Sequence, residues 1–106
     1  MQNLKIAMLQ ADLVWQDAEQ NRKNFSEKIN QIKEPVDLIL LPEMFTTGFS
    51  MHPQKIGDTM HGETVAWMRK IAVEKNAAIA GSVIIFANSK FYNRFLFIHP
   101  SGEINF

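Results

Sequence analysis

Val36-Asp37-Leu38-Ile39-Leu40-Leu41-Pro42-Glu43-Met44-Phe45 joins the most apolar short run in the first half of the chain to a proline and a carboxylate. Leu38 to Leu41 shows no alternation of apolar and polar residues. A run that short and that continuous predicts a parallel strand at the centre of a sheet, covered on both faces. Pro42 ends it, because proline has no amide hydrogen to give to a ladder. Glu43 then stands just past the carboxyl end of a buried parallel strand, where open α/β sheets place their ligand sites.

Upstream, Asp17 is placed to cap a helix, and Gln20 follows three residues later as in a capping box. Ala18, Phe25, Ile29 and Ile32 recur at helical spacing, and Pro35 disfavours helical geometry at Glu34. Before this helix, Leu4 to Gln10 predicts a buried strand. Downstream, Glu43 to Asp58 has no period and contains Gly48, Pro53 and Gly57. Loops of that length in compact domains are usually functional. Val65, Met68, Ile71 and Ala72 predict a second helix from about Glu63 to Asn76. Strands over Ala78–Phe86 and Phe91–His99 flank the turn residues Ala87-Asn88-Ser89-Lys90, and a last strand begins at Ile104.

The predicted order is β-α-β-α-β-β-β. The fold class is α/β, with a mixed sheet and both helices on one face, since parallel crossovers are right-handed. One side of the fourth strand carries Phe91, Phe95 and Phe97, and the other carries Tyr92, Leu96 and Ile98. A strand apolar on both sides needs cover on both sides, and few elements remain to supply the second.

The chain has 106 residues, 46% hydrophobic and 21% charged, with formal net charge +0. This is globular composition, too apolar for disorder and too balanced for a broad nucleic-acid-binding surface. There is no cysteine, which excludes disulfides, thiolate-metal sites and a thiolate nucleophile within these residues. No run approaches the length of a membrane span, and Met1 to Lys5 lacks a signal-peptide pattern. The expectation is a cytoplasmic protein, with neither membrane nor nucleic acid as partner.

Among polar residues, Glu43 is the candidate for chemistry. Met44, Phe45 and Phe49 are expected to desolvate it, as suits a general base. Thr46 and Thr47 are candidates for donating to a substrate carboxylate or for making local backbone bonds. His52 and His61 have no zinc-ligand spacing, and His99 ends a strand. No metal or cofactor is expected.

The stretch Leu40 to Phe49 resembles the glutamate motif of the nitrilase superfamily of carbon–nitrogen hydrolases. Thr46-Thr47-Gly48-Phe49 is closest to its ω-amidase-like branch. Leu4–Ala11, Trp15-Gln16-Asp17 with Asn21, Gly81-Ser82, and Tyr92-Asn93-Arg94 through Pro100-Ser101-Gly102 resemble further family segments in the same order. The resemblance implies an α-β-β-α sandwich and amide hydrolysis by a Glu-Lys-Cys triad, in which a thiolate attacks the carbonyl and the lysine supports the oxyanion. Only the glutamate maps here, at Glu43, with Phe45, Thr46, Thr47 and Phe49 implied near the substrate. The family's lysine follows the strand that begins at Ile104, its cysteine lies further on, and Lys70 and Lys90 occupy other segments. Residues 1–106 are thus expected to be the N-terminal part of one truncated hydrolase domain, inactive alone. The implied substrates are ω-amides of 2-oxo dicarboxylates, such as 2-oxoglutaramate. The unfinished strand and uncovered sheet predict a homo-oligomer, at least a dimer. Two other readings are a metal-dependent phosphoesterase of the DNase-like sandwich and a non-catalytic interaction domain.

Overall fold

Asp17 caps the first helix: its Oδ1 accepts the Gln20 amide hydrogen at 3.1 Å, satisfying one of the free donors of the first turn. The reciprocal half of the capping box does not form. The Gln20 side chain instead donates to Asn24 Oδ1, one turn further on, at 2.8 Å. The helix, α1, runs Ala18–Asn30 and buries Asn21, Phe25 and Ile29 on one stripe. In this computed structural model, residues 3–47 and 58–106 are described.

The second helix, α2, runs Glu63–Lys75 and buries Thr64, Val65, Met68, Ile71 and Ala72. Its cap residue, Gly62, has no side chain to offer. Asp58 acts from further back: Oδ2 accepts the Thr64 amide hydrogen at 3.1 Å, and Oδ1 accepts that of Thr59 at 2.8 Å. A Cβ at position 62 would lie 1.7 Å from Asp58 Oδ1, so any other residue there would displace the carboxylate that caps the helix. Asn76, in the left-handed region with φ 49°, ends the helix.

The described strands are β1 (Ile6–Met8), β2 (Leu38–Leu40), β3 (Ala78–Ala87), β4 (Lys90–Ile98) and β5 (Ile104–Asn105), in spatial order β1-β2-β3-β4-β5. β1, β2 and β3 are parallel, and β3, β4 and β5 antiparallel. The register aligns Ala7, Ile39, Ile79 and Ile98 in one transverse row. That row faces the helices, and Phe25, Ile29, Val65, Met68, Ile71 and Ala72 close over it to form the core. Arg22 ties the helices together, donating to Thr64 Oγ1 and to Glu63 Oε2, each at 3.0 Å. No helix among the described residues is long and apolar enough to cross a membrane.

The mixed sheet with helices on one face is as the periodicity predicts, but the predicted burial of the first strands is not met. β1 is an edge strand in which Ile6 is 48% and Met8 69% exposed. Leu38 and Leu40 of β2 are half-buried, while Ile39 between them is buried. Alternation explains this: Ile6, Met8, Leu38 and Leu40 point away from the helices, and among the described residues no helix covers that side. Phe86, Phe91 and Phe95 are exposed on the same open face. Nor does the predicted strand length hold, since β1 pairs only over Ile6–Met8.

An apolar sheet face of this kind, bounded by the short edge strand β5, drives association. Residues 1–106 expressed alone are expected to be dimeric or larger, or poorly soluble. Light scattering across a concentration series checks this, and a monomer at every concentration would contradict it.

Candidate active site

The site is built where β2 leaves the sheet. Leu41 extends the ladder by one bond, its amide hydrogen going to Ala80 O at 2.7 Å. Pro42 then stops the pairing, and the chain turns through residues 43–47. Met44 adopts φ 49°, uncommon for a residue with a side chain. Its amide hydrogen goes to Ser82 Oγ on β3 at 2.8 Å, a buried bond. Thr47 closes the turn by donating to Met44 O at 3.2 Å.

Phe45 anchors the turn from below. It is fully buried, edge-on to Phe25 with centroids 5.8 Å apart and 5.6 Å from the ring of Trp67. Trp67 is fixed in turn by Nε1 donating to Ser26 Oγ at 2.8 Å. Gly81 makes the room. A Cβ there would lie 3.0 Å from both Leu41 Cβ and the Phe45 ring, tighter than side chains normally accept.

Asn21 ties the far end of the turn to α1. Its Nδ2 donates to Thr46 O at 2.6 Å and to Val14 O at 2.7 Å, and its Oδ1 accepts the Val14 amide hydrogen at 2.7 Å. Gln16 adds a main-chain bond to Thr47 O at 2.7 Å. One buried amide thus joins the connector after β1, helix α1 and the turn after β2.

Glu43 emerges on the other side of the sheet. Its Oε1 accepts from Asn93 Nδ2 on β4 at 2.8 Å. Asn93 alternates with Phe91 and Phe95, so this carboxylate stands on the open face, at the carboxyl end of β2. The expected apolar enclosure of Glu43 is not found among the described residues. Glu43 is exposed, while Met44 is buried and Phe45 is turned to the helices. Thr46 and Thr47 are also inside the fold, with their carbonyls held by Asn21 and Gln16. The structure therefore does not bring Phe45 to the Glu43 carboxylate. Phe49 and His52 lie outside the described residues.

The other candidates fall elsewhere. Lys70 is on the surface of α2, 4.0 Å from Glu74. Lys90 opens β4 on the side opposite Asn93. His61 is exposed in the turn before α2. Among the described residues no group of three or more His, Cys, Asp or Glu is arranged to hold a metal. The supporting residues Asn21, Gly81, Ser82 and Asn93 were not singled out for roles by the sequence. Two signals bear on Asn93: it interrupts an otherwise aromatic row, Phe91, Phe95 and Phe97, and it lies in Tyr92-Asn93-Arg94, which resembles a family segment.

Ser82→Ala leaves the buried Met44 amide hydrogen without its partner. It is expected to cost about 1–3 kcal/mol, the usual penalty for an orphaned buried donor. Urea unfolding of the complete protein measures it, and a change well below that range would show that the turn finds another acceptor.

The sequence profile of the carbon–nitrogen hydrolase family matches residues 5–106. The chain is 41% identical over 106 residues to the omega-amidase YafV of Escherichia coli K12, covering 100% of this chain and 41% of that protein. It is 29% identical over 101 residues to the 2-oxoglutaramate amidase of Bacillus subtilis, covering 93% of this chain and 39% of that one. Among solved structures, XC1258 from Xanthomonas campestris, a CN-hydrolase superfamily protein, superposes with a TM-score of 0.93 at 35% identity. That match covers 99% of this chain and 40% of XC1258. The chain thus spans about two fifths of the length of these relatives. The metal-dependent phosphoesterase reading is set aside by these matches. With its fold and its sequence in agreement, this chain belongs to the carbon–nitrogen hydrolase family.

Proposed function

We propose that residues 1–106 are the N-terminal part of a single amidohydrolase domain that cleaves an ω-amide of a small 2-oxo acid, with Glu43 as general base. One observation carries the reading: the Glu43 carboxylate stands free of the helix-side core, on the open face, at the end of the central parallel strand. A base must reach both nucleophile and substrate, and a carboxylate presented on that face can do so. The similarity to an omega-amidase and to a 2-oxoglutaramate amidase supports the choice of substrate class.

In this mechanism Glu43 takes the proton of a cysteine thiol supplied by the remainder of the domain. The thiolate attacks the amide carbon, and the proton then passes to the departing ammonia. Glu43 next takes a proton from water, which releases the oxo acid from the thioester. The register of β5 supports a role for lysine on the same face. Asn105 pairs with Phe97, so the strand continued by two positions would stand opposite Phe95 on the open face. By the family resemblance, the lysine follows this strand. It would stabilise the oxyanion of the tetrahedral intermediate. The partner class is a small amide, and within this chain Glu43 alone represents the triad.

Glu43→Gln in the complete protein is expected to preserve folding and lower the release of ammonia from 2-oxoglutaramate by about 10²–10⁴-fold, the usual range for a lost general base. Glu63→Gln, at the start of α2, is the matched control and should leave turnover near normal. Turnover by Glu43→Gln close to wild type would remove the assignment.

A further inference from the structure

We infer that Asn93 is a positioning residue for this reaction: its amide holds one oxygen of the Glu43 carboxylate and leaves the other for proton transfer. The inference rests on the reading of Glu43 as base and extends it to a residue 50 positions away in sequence.

The geometry is specific. Asn93 Nδ2 donates to Oε1 of Glu43 at 2.8 Å, a full hydrogen bond. An ionised carboxylate only accepts, and the amide NH2 group only donates, so the pair fits without a proton changing hands. A neutral donor orients the carboxylate without setting a further charge beside the group that must accept the proton. Asparagine does not titrate, so the orientation survives each transfer step at Glu43.

Asn93 is exposed, so solvent accommodates a polar side chain here without calling for an amide in particular. Asparagine is depleted in strands, and the neighbours of Asn93 on its own face are Phe91 and Phe95, both exposed apolar rings. The support beneath Asn93 is firm. β3 and β4 pair over nine residue pairs, from Ile79↔Ile98 to Ala87↔Lys90. Ser82 faces Phe95 and Ile84 faces Asn93 in that register, so Ser82 and Asn93 are diagonal neighbours on one face. Ser82 fixes the peptide that follows Glu43, and Asn93 fixes its carboxylate. The same hairpin therefore holds both ends of the glutamate, as a precise site on regular structure requires.

The experiment uses the complete amidase with 2-oxoglutaramate, comparing Asn93→Leu, Glu43→Gln and the double variant. Asn93→Leu removes the donor while keeping the number and branching of the side chain's heavy atoms. It is expected to lower kcat about 10–100-fold, the scale of a misplaced catalytic group. KM should stay within about twofold, because the substrate's own contacts are kept. Added to Glu43→Gln, it should cause no further loss, since a positioning residue acts only through the group it positions. Asn93→Ala replaces the leucine variant if that one fails to fold, as judged by its melting temperature. Wild-type kcat in the Asn93 variant beside an inactive Glu43→Gln overturns the positioning role and leaves the base standing. Losses that multiply in the double variant overturn it too, because Asn93 would then act on something other than Glu43. Normal turnover in Glu43→Gln overturns both readings.

Discussion

The left-handed backbone at Met44 is the constraint on which the site depends. Residues two apart in an extended strand share a face, so an uninterrupted β2 would send Glu43 and Phe45 the same way. Both would then lie in the helix-side core or both on the open side. The reversal at Met44, with φ 49°, separates them. Phe45 goes down between Phe25 and Trp67, and Glu43 goes up to Asn93. A side-chain-bearing residue in that region costs about 1–2 kcal/mol. The burial of an entire phenylalanine ring is worth about 1.5–3 kcal/mol, and the buried bond to Ser82 adds to it. The strain is therefore offset locally, by two contacts that exist only when the turn is formed.

This arrangement explains which parts of the fold were legible in the sequence. Helix faces were readable because one stripe of each helix meets one face of the sheet, and Phe25, Ile29, Val65 and Met68 fall on those stripes. Strand identity and order were readable from apolar runs and turn chemistry. The extent of burial was not. Leu38, Leu40, Ile6 and Met8 have the composition of strands covered twice, yet within the described residues the helices cover only one side. Composition records the environment a strand is suited to, whereas exposure depends on which partners are present. The aromatic row of β4 is the same case: the alternation correctly divided Phe91 and Phe95 from Leu96 and Ile98.

The candidate site was legible at one residue and obscure around it. Glu43 could be singled out because Pro42 and the apolar run fix where the strand ends. Adjacency in sequence predicts apolar neighbours around the carboxylate, and the turn defeats that inference at Phe45. The residues that do hold the turn come from distant segments: Asn21 from α1, Gly81 and Ser82 from β3, Asn93 from β4. Each is a small or amide side chain of a type common in loops and surfaces. Each falls in a segment that resembles the family, but its role is defined by a partner far along the chain, which a local pattern does not state.

The two ends of the segment that contains Glu43 are anchored on one strand. Leu41 bonds to Ala80, and Asp58 returns in parallel beside Ile85, accepting from Phe86 at 2.6 Å and donating to Ile84 O at 2.9 Å. The chain thus leaves β3 and rejoins it a few residues further along the same edge. The rejoining residue also starts α2, since the Asp58 carboxylate takes the Thr59 and Thr64 amide hydrogens. Gly62 is fixed by that same carboxylate, so backbone pairing, helix capping and the absence of a side chain meet at one point. Arg22 then carries the coupling across to α1, whose Asn21 holds the turn beside Glu43. The glutamate is therefore braced through both helices as well as through the sheet. Its side chain is exposed while the peptide that carries it is not free to move, the combination that the proposed role as base requires.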